Sequence, residues 1–283
     1  MDNISPSSLQ APTGSTRAEA MRAGQETAPV PEKRVRTSEA RIHDEPAFVL
    51  HSYPYKETSL IVEVLTRHHG RVALVARGAK RPRSAMRGVL QGFQPLALAW
   101  TNGRSRTSEL RTLTKAEWVG GLAPLRGAGL LCGFYLNELL IKLLAREDAH
   151  EALFDSYIHA VAQLSQGGPA EPSLRAFEYA LLREAGYAIR LSHCVESGAP
   201  IRAEGRYRYR PEHGPFGVAD GFSGAGRDDQ IIFGKTLLDI GAGDFSDATT
   251  LSQSKQLMRY LLNYHLAGQN LNTRQMMIDL QNL

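Results

Sequence analysis

Residues 76–88 read ARGAKRPRSAMRG and contain a dense group of positively charged side chains. Their five cations, with no acid among them, are Arg77, Lys80, Arg81, Arg83 and Arg87. Guanidinium and ammonium groups neutralise phosphates and release counterions, which yields affinity for nucleic acid without reading its sequence. The stretch is therefore predicted to be a phosphate-tracking loop. A solvated basic loop that only aids solubility is the alternative.

The charge around this loop is strongly uneven, although the formal net charge of the whole chain is only +4. The 45 residues between Glu63 and Glu109 contain no acid and nine bases, at positions 67, 71, 77, 80, 81, 83, 87, 104 and 106. Such a patch attracts polyanions. We expect Arg71, Arg104 and Arg106 to extend this predicted nucleic-acid-binding surface, because they flank predicted strand or hairpin ends. Arg67 is a weaker candidate.

Motifs for nucleotide hydrolysis and acyl transfer fail at single positions. The Gly-Lys-Thr run at 234–236 would need a glycine where Asp229 stands, and an acid there repels a phosphate. The run GFSGAG has Ala225 in the last place of a nucleophile elbow. The sequence therefore predicts no catalytic residues.

The chain has two cysteines, Cys132 and Cys194. Cys132 lies in an apolar, helix-like run, which is typical of a small core residue. Cys194 has Ser197 where a zinc ribbon would place a second cysteine. We therefore expect neither a disulfide framework nor a bound metal.

The run RYRYR alternates arginine with tyrosine, so Arg206, Arg208 and Arg210 would share one face of a strand. This face could be a second surface for a nucleic-acid strand. The favoured interpretation is an exposed sheet edge protected by charge.

These side chains must be positioned by two kinds of element. The runs AFVLHSY, SLIVEVLTR, RVALVAR, FQPLALAW and TSELRTLTKAEW have strand composition, and TNG between the last two predicts a hairpin. Five strands in so short a stretch indicate a small barrel, which binds single strands with basic grooves and aromatic stacking. The aromatic residues available to stack are Tyr53, Tyr55, Phe93 and Trp100, although core packing is the commoner role for each.

Helical periodicity begins after Gly121. Helices are predicted within residues 125–148, 150–165, 172–187, 252–268 and 272–280, with Ser252 as a possible N-cap of the fourth. Residues 190–228 are Gly-rich and read as an irregular insertion. The domains predicted are a disordered tail at 1–44, a barrel at 45–120 and a helical domain at 121–283.

No run approaches the ~18 apolar residues of a membrane span. This lack of an apolar span, together with two cysteines that show no disulfide framework, predicts a cytoplasmic protein without a membrane partner.

The run FVLHSYPYKETSLIVEVLTRHHGRVALVARGAKRPRS, followed by LQGFQPL, resembles the start of the bacterial recombination mediator family RecO. Three later runs agree in order: CGFYLNELLIKLL, FEYALLREAGYAIRLSHC and YLLNYHLAG. The resemblance covers residues 44–283. It implies an α+β chain in which a five-stranded OB-fold barrel precedes an all-helical domain with a zinc-ribbon-like insertion. Some members hold zinc with four cysteines there. Since only Cys194 remains of that pattern, the insertion is expected to be degenerate and without a cofactor.

The resemblance also implies a function. Members of the family bind single- and double-stranded DNA, anneal complementary strands without ATP, and work with RecR and single-stranded DNA-binding protein to load RecA. A nucleoid-associated location would follow. Two other classes remain open from the residues themselves: an RNA-binding OB module, and a hydrolase that would need a carboxylate cluster for metal ions.

Overall fold

The computed structural model describes residues 41–101, 110–187, 189–218 and 231–281. The predicted disordered tail lies outside these ranges except for residues 41–44, which open the first strand. The predicted boundary of the tail at residue 44 was wrong, because Arg41 and Ile42 pair with Thr101 and Trp100 of another strand. Cross-strand partners override the polar composition of this segment, and such partners are not visible locally in the sequence.

The N-terminal half is a closed five-stranded barrel. Its strands are β1 Arg41–Tyr55, β2 Ser59–Thr66, β3 Gly70–Ala76, β4 Leu96–Thr101 and β5 Leu110–Trp118. They follow the order β1-β2-β3-β5-β4. The barrel closes because β1 pairs with both β2 and β4, while β3 pairs in parallel with β5. This five-stranded arrangement is the OB-fold that was predicted.

Alternation along the strands fills the barrel interior. Val62 and Val64 of β2 point inward beside Trp100 of β4, and all three are fully buried. A short helix, α1 Met86–Val89, packs its two terminal side chains against the same core. The β-branched runs therefore form strands because each alternate side chain leaves water.

The C-terminal half contains six helices among the described residues. They are α2 Gly127–Leu143, α3 Glu151–Ser165, α4 Ala170–Glu184, α5 Gly234–Ala242, α6 Ala248–His265 and α7 Asn272–Gln281. The predicted N-cap Ser252 was wrong, because α6 begins earlier: the Asp247 side chain accepts a hydrogen bond from the Thr250 backbone N–H at 2.8 Å. Within the described residues, none of the helices is both long and apolar enough to cross a bilayer.

The insertion contains a small sheet where irregular chain was predicted. Its strands are β6 Arg206–Arg210, β7 Gly214–Gly217 and β8 Ile231–Phe233, in the order β7-β6-β8. Strand β6 therefore lies in the centre and not at an edge, so the edge interpretation of RYRYR was wrong. The alternation was right, since Tyr207 and Tyr209 are buried on one face.

The barrel and the helices share an apolar junction. The Phe48 ring of β1 points away from the barrel interior, and its centroid lies 5.7 Å from that of Phe154 and 5.1 Å from that of Tyr157. Asn137 completes the contact: its Nδ2 donates to the Leu50 carbonyl at 2.9 Å, and its Oδ1 accepts from the Tyr157 hydroxyl at 2.7 Å. This outer face of β1 belongs to the core of the helical domain.

Candidate nucleic-acid interface

Residues 77–87, here called the basic loop, follow β3 and include the first two residues of α1. The backbone folds into successive turns: the Arg81 N–H donates to the Gly78 carbonyl at 3.0 Å, and the Ser84 N–H donates to the Arg81 carbonyl at 3.0 Å. All five cations of the loop are exposed. The glycine and the turns allow a short segment to present them in several directions.

The basic loop is fixed to the barrel and is not a free arm. Ala79 is buried in the barrel core. The Lys80 backbone N–H donates to the Thr58 carbonyl at 2.8 Å, and the Gly78 N–H donates to the Ser59 hydroxyl at 3.3 Å. These contacts hold the loop against the β1–β2 turn, so its charges occupy a defined region of the surface.

The five loop cations make no ion pair with any of the residues that the structure describes. Cations held without counter-charges seek anions from solution, and a phosphate backbone supplies them at regular spacing. The loop therefore has the charge and the accessibility that strand binding requires.

Lys56 extends this surface and was missed at the sequence level. It lies in the β1–β2 turn to which the basic loop is hydrogen-bonded, and it is exposed. Its Nζ lies 5.3 Å from the centroid of the Tyr55 ring. Adjacent Glu57 makes the turn look neutral in sequence, so the contribution of Lys56 to the cationic surface is revealed only by the contact between the turn and the basic loop.

Arg71 does not belong to the exposed surface. Its Nη1 donates to Glu63 Oε2 at 3.1 Å, while Nε and Nη2 donate to the Leu144 carbonyl at 3.1 and 3.0 Å. Arg146 contacts the other oxygen of Glu63. The prediction that Arg71 extends the DNA surface is therefore corrected: its donors join the barrel to the end of α2.

Arg67 is likewise engaged between the domains. Its Nη2 donates to Asp155 Oδ2 at 3.0 Å, and its Nε lies 3.3 Å from Glu151 Oε2. Both acids come from α3, far away in the sequence. The segment between Glu63 and Glu109 thus contains no acid in its own sequence, but acids from α3 lie beside it in the folded chain.

Arg104 and Arg106, together with most of the predicted TNG hairpin, lie outside the described residues. Their assignment to the DNA surface stays a prediction.

The aromatic residues predicted to be available for stacking divide into two groups. Phe93 and Trp100 are buried and serve the core. Tyr53 is 42% exposed, and its ring lies 4.4 Å from that of His51 in an edge-on arrangement. Tyr55 is half-buried. Of these four residues, the two tyrosines are the ones that present a ring to solvent, beside the β1–β2 turn.

Trp118 was missed, although 61% of its surface is exposed. It pairs with Leu96, whose side chain points into the barrel, so strand alternation would place the Trp118 ring inside as well. Trp118 is however the last residue of β5, and its ring is exposed at the end of the strand. No local signal in the sequence marks that end.

The arginines of β6 are the last predicted candidates. Arg206 and Arg210 are exposed on the face opposite the buried tyrosines. The Arg210 guanidinium lies 4.8 Å from the centroid of the Phe216 ring. Whether this face contacts DNA stays a prediction.

Comparisons with known proteins agree with this architecture. The family described as Recombination protein O N terminal matches residues 41–122, and Recombination protein O C terminal matches residues 126–275. This chain belongs to the RecO family. The two matches meet between β5 and α2, where the barrel gives way to the helices.

Individual relatives are similar over most of their length. The chain is 54% identical over 246 residues to the DNA repair protein RecO of Ralstonia nicotianae, which covers 87% of this chain and 88% of that protein. It is 56% identical over 248 residues to the DNA repair protein RecO of Burkholderia pseudomallei, covering 88% and 87%. For the Polynucleobacter asymbioticus protein of the same name the identity is 55% over 249 residues, covering 86% and 98%.

A zinc ribbon of the kind that the RecO resemblance implies for some members does not fit the residues of this chain. Burial alone would raise the pKa of the Cys194 thiol, but hydrogen bonds from Ser197, Glu196 and Gly217 hold that pKa below its usual value. One such thiol is a suitable zinc ligand, but a structural zinc site needs four ligands. Among the described residues, no three His, Cys, Asp or Glu side chains are grouped to hold a metal ion.

The Gly-Lys-Thr run has a structural role at the start of α5. The Lys235 ammonium contacts Asp239, and the Thr236 hydroxyl donates to Gln253 Oε1 at 2.8 Å. A Cβ on Gly234 would lie 1.8 Å from the Arg202 carbonyl oxygen, so the glycine is needed for packing. This run therefore serves the contact between α5, α6 and the insertion.

Proposed function

We propose that this chain is a DNA-binding recombination mediator in recombinational DNA repair, which acts by holding strands without making or breaking bonds. The observation that carries the proposal is the basic loop, with its exposed cations unpaired within the described residues. Relatives over half identical to the chain are named DNA repair proteins. The residues assigned to phosphate contact are Lys56, Arg77, Lys80, Arg81, Arg83 and Arg87.

In this proposal the chain anneals complementary strands by electrostatics alone. Two phosphate backbones repel each other, and a cationic surface between them lowers that repulsion while the base edges stay free to pair. Counterion release supplies the free energy of binding. No nucleotide needs to be hydrolysed, so neither a phosphate-binding loop nor a catalytic residue is required.

The family resemblance extends the proposal to partners and place. The chain would work with RecR and with single-stranded DNA-binding protein, and through them load RecA onto coated DNA. It would do so in the cytoplasm, at the nucleoid.

The test replaces the five loop cations together by alanine. Five contacts to a single strand predict a slope of log affinity against log salt of about −3.5 from this loop, at ~0.7 per contact. The variant should therefore lose affinity at low salt and fail to anneal. Its slope of log affinity against log salt should be less negative than that of the wild type by about 3.5. Fluorescence anisotropy of a labelled oligonucleotide gives the slope, and quenching between complementary labelled strands gives annealing.

A matched control replaces Arg183, Lys235 and Lys255, which are exposed but paired with acids in the helical domain. It should keep the wild-type slope. The proposal is wrong if the loop variant remains folded, as judged by circular dichroism, and still binds and anneals like the wild type.

A further inference from the structure

A groove lies beside the basic loop, between α1, the end of β5 and the start of α2. Its volume of about 680 Å³ is within the range of small-ligand sites. Its wall includes Gln91, Phe93, Gln94, Trp118, Leu130 and Phe134. Among the described residues that line the groove there is no acid. The groove therefore combines aromatic rings with side-chain amides and carries no negative charge of its own.

The Trp118 ring forms an open wall of this groove and is held in place. Its Nε1 donates to Gln94 Oε1 at 3.2 Å. The backbone N–H of the next residue, Val119, donates to the Pro95 carbonyl at 3.1 Å. A large ring with fixed orientation and more than half its surface in water is a preorganised stacking platform.

The part of the wall that α2 contributes supplies a second ring. Phe134 of α2 is 46% exposed, and its centroid lies 5.3 Å from that of buried Phe93, edge to face. A Cβ on Gly133 would lie 2.8 Å from the Phe93 ring, so the missing side chain allows Phe93 to approach the helix. Phe93 itself has a φ of 64°, a strained conformation for a bulky residue that is maintained by its burial.

Two exposed cations are sequence neighbours of residues that line the groove. Gly88, which lines it, directly follows Arg87, the last cation of the basic loop. Arg126, exposed at the start of α2, directly follows Leu125 of the groove wall. The basic loop thus runs directly into the groove lining along the chain, and a further exposed cation adjoins the wall at the start of α2.

We propose that this groove is a base-stacking subsite, in which an unpaired nucleobase of the strand bound by the basic loop stacks on Trp118 and faces Phe134. The proposal rests on the DNA binding proposed above and gives it a preference for single strands. Base-paired bases are already stacked on their neighbours and cannot enter. Gln91 and Gln94 line the same groove, and their amides can hydrogen-bond to a base edge.

A nucleic-acid strand fits this groove better than an apolar protein segment does. The groove lining begins at Gly88, directly after the basic loop, whose five cations make no ion pair with the described residues, and exposed Arg126 adjoins its wall in the chain. Aromatic walls beside cations match a ligand whose flat rings alternate with phosphates. A protein segment that binds here would have to carry acids beside an aromatic residue.

Tryptophan fluorescence of the intact chain tests the proposal directly. The chain has two tryptophans, and Trp100 is fully buried, so quenching on addition of oligo(dT) reports Trp118. Saturable quenching is expected. Replacing several nucleotides by abasic sites keeps every phosphate, and it should abolish the quenching and weaken binding on the order of tenfold, the scale of one stacked base. These measurements need no variant.

Trp118→Ala should weaken single-strand binding by a similar factor and leave the salt slope unchanged. The affinity of this variant should no longer depend on whether the oligonucleotide contains abasic sites. Its affinity for duplex DNA should stay within about twofold of the wild type. Trp118→Phe should restore most of the loss. The matched control, Tyr264→Ala, removes an exposed aromatic ring of the helical domain and should bind like the wild type.

The possible failures are distinguishable. If the wild-type chain does not bind oligo(dT), the proposed function fails and the subsite with it. If binding is steeply salt-dependent but unquenched, and Trp118→Ala binds equally well, only the subsite is wrong. If Trp118→Ala keeps its DNA affinity but loses binding to RecR or to single-stranded DNA-binding protein, the groove is a protein-docking site and the assignment is overturned.

Discussion

Arg71 and Arg77 carry the same side chain at either end of β3, yet their surroundings are opposite. Arg71 is surrounded by acceptors from β2 and α2, whereas Arg77 is exposed in the basic loop. A count of charges along the sequence treats them alike. What separates them is Glu63 on the neighbouring strand and the Leu144 carbonyl, which only the packing of the helices brings close.

Replacing Arg71 by alanine should therefore affect stability and not DNA binding. Glu63 is 3% exposed, and it would lose one of its two cationic partners. Removing one partner of a buried ion pair costs about 3–5 kcal/mol, and Arg146 should hold the loss near the lower end. Urea denaturation measures the cost, while oligonucleotide anisotropy at low salt measures binding.

Arg77→Ala is the natural comparison, since it should weaken binding and leave the urea midpoint unchanged. A stable Arg71→Ala protein with reduced DNA affinity would show that Arg71 does contact the strand.

At the scale of elements, hydrophobic pattern predicted most of the fold. Short runs of strand composition, or of alternating apolar residues in the case of β4, predicted all five barrel strands. The spacing of leucines predicted α2, α3 and α4, because each of these helices buries one face. Helix α5 was missed since it is short and begins with a Gly-Lys-Thr run that suggests another role. The sheet of the insertion was missed as well, because β7 and β8 are very short and depend on β6 for partners.

The start of α6 provides a test of local hydrogen bonding. The Thr250 N–H bonds to the Asp247 carboxylate and lowers the pKa of Asp247 below its usual 3.8. A lowered folded-state pKa means that the stabilisation is complete above the usual pKa and is lost as the pH falls through the folded value. Asp247→Ala should lower Tm by about 2–4 °C at pH 7. The Tm difference from the wild type should shrink as the pH falls below the usual value of 3.8.

Asp247→Asn keeps an oxygen acceptor without the titration, so its Tm difference from the wild type should be small at neutral pH. Differential scanning calorimetry across the pH range decides the matter. An Asp247→Ala difference that persists undiminished in acid would assign the effect to something other than the carboxylate.

At the scale of the whole molecule, the barrel and the helices share one apolar core. Phe48, Leu50 and Leu65 come from barrel strands but lie in the core cluster of the helical domain. Neither half can lose its structure without exposing apolar surface of the other. The sequence could not predict this, since the outward side chains of β1 resemble those of any strand that is buried on both faces.

Unfolding in urea should therefore give one transition by two probes. Fluorescence of buried Trp100 reports the barrel, and circular dichroism at 222 nm reports the helices. Their midpoints should coincide, and Asn137→Ala should lower both together, because it leaves the Leu50 carbonyl and the Tyr157 hydroxyl without their buried partner. A barrel transition that clearly precedes the helical one would contradict a shared core.

The two-sided burial of β1 has a consequence for synthesis on the ribosome. The strand needs β4 and β5 to close the barrel on one side, and it needs Phe154 and Tyr157 to cover Phe48 on the other. About 110 residues separate Phe48 from Tyr157, which is about 5–20 s of translation. For that interval the nascent chain presents an uncovered apolar strand, so the first strand to emerge is among the last to be fully enclosed.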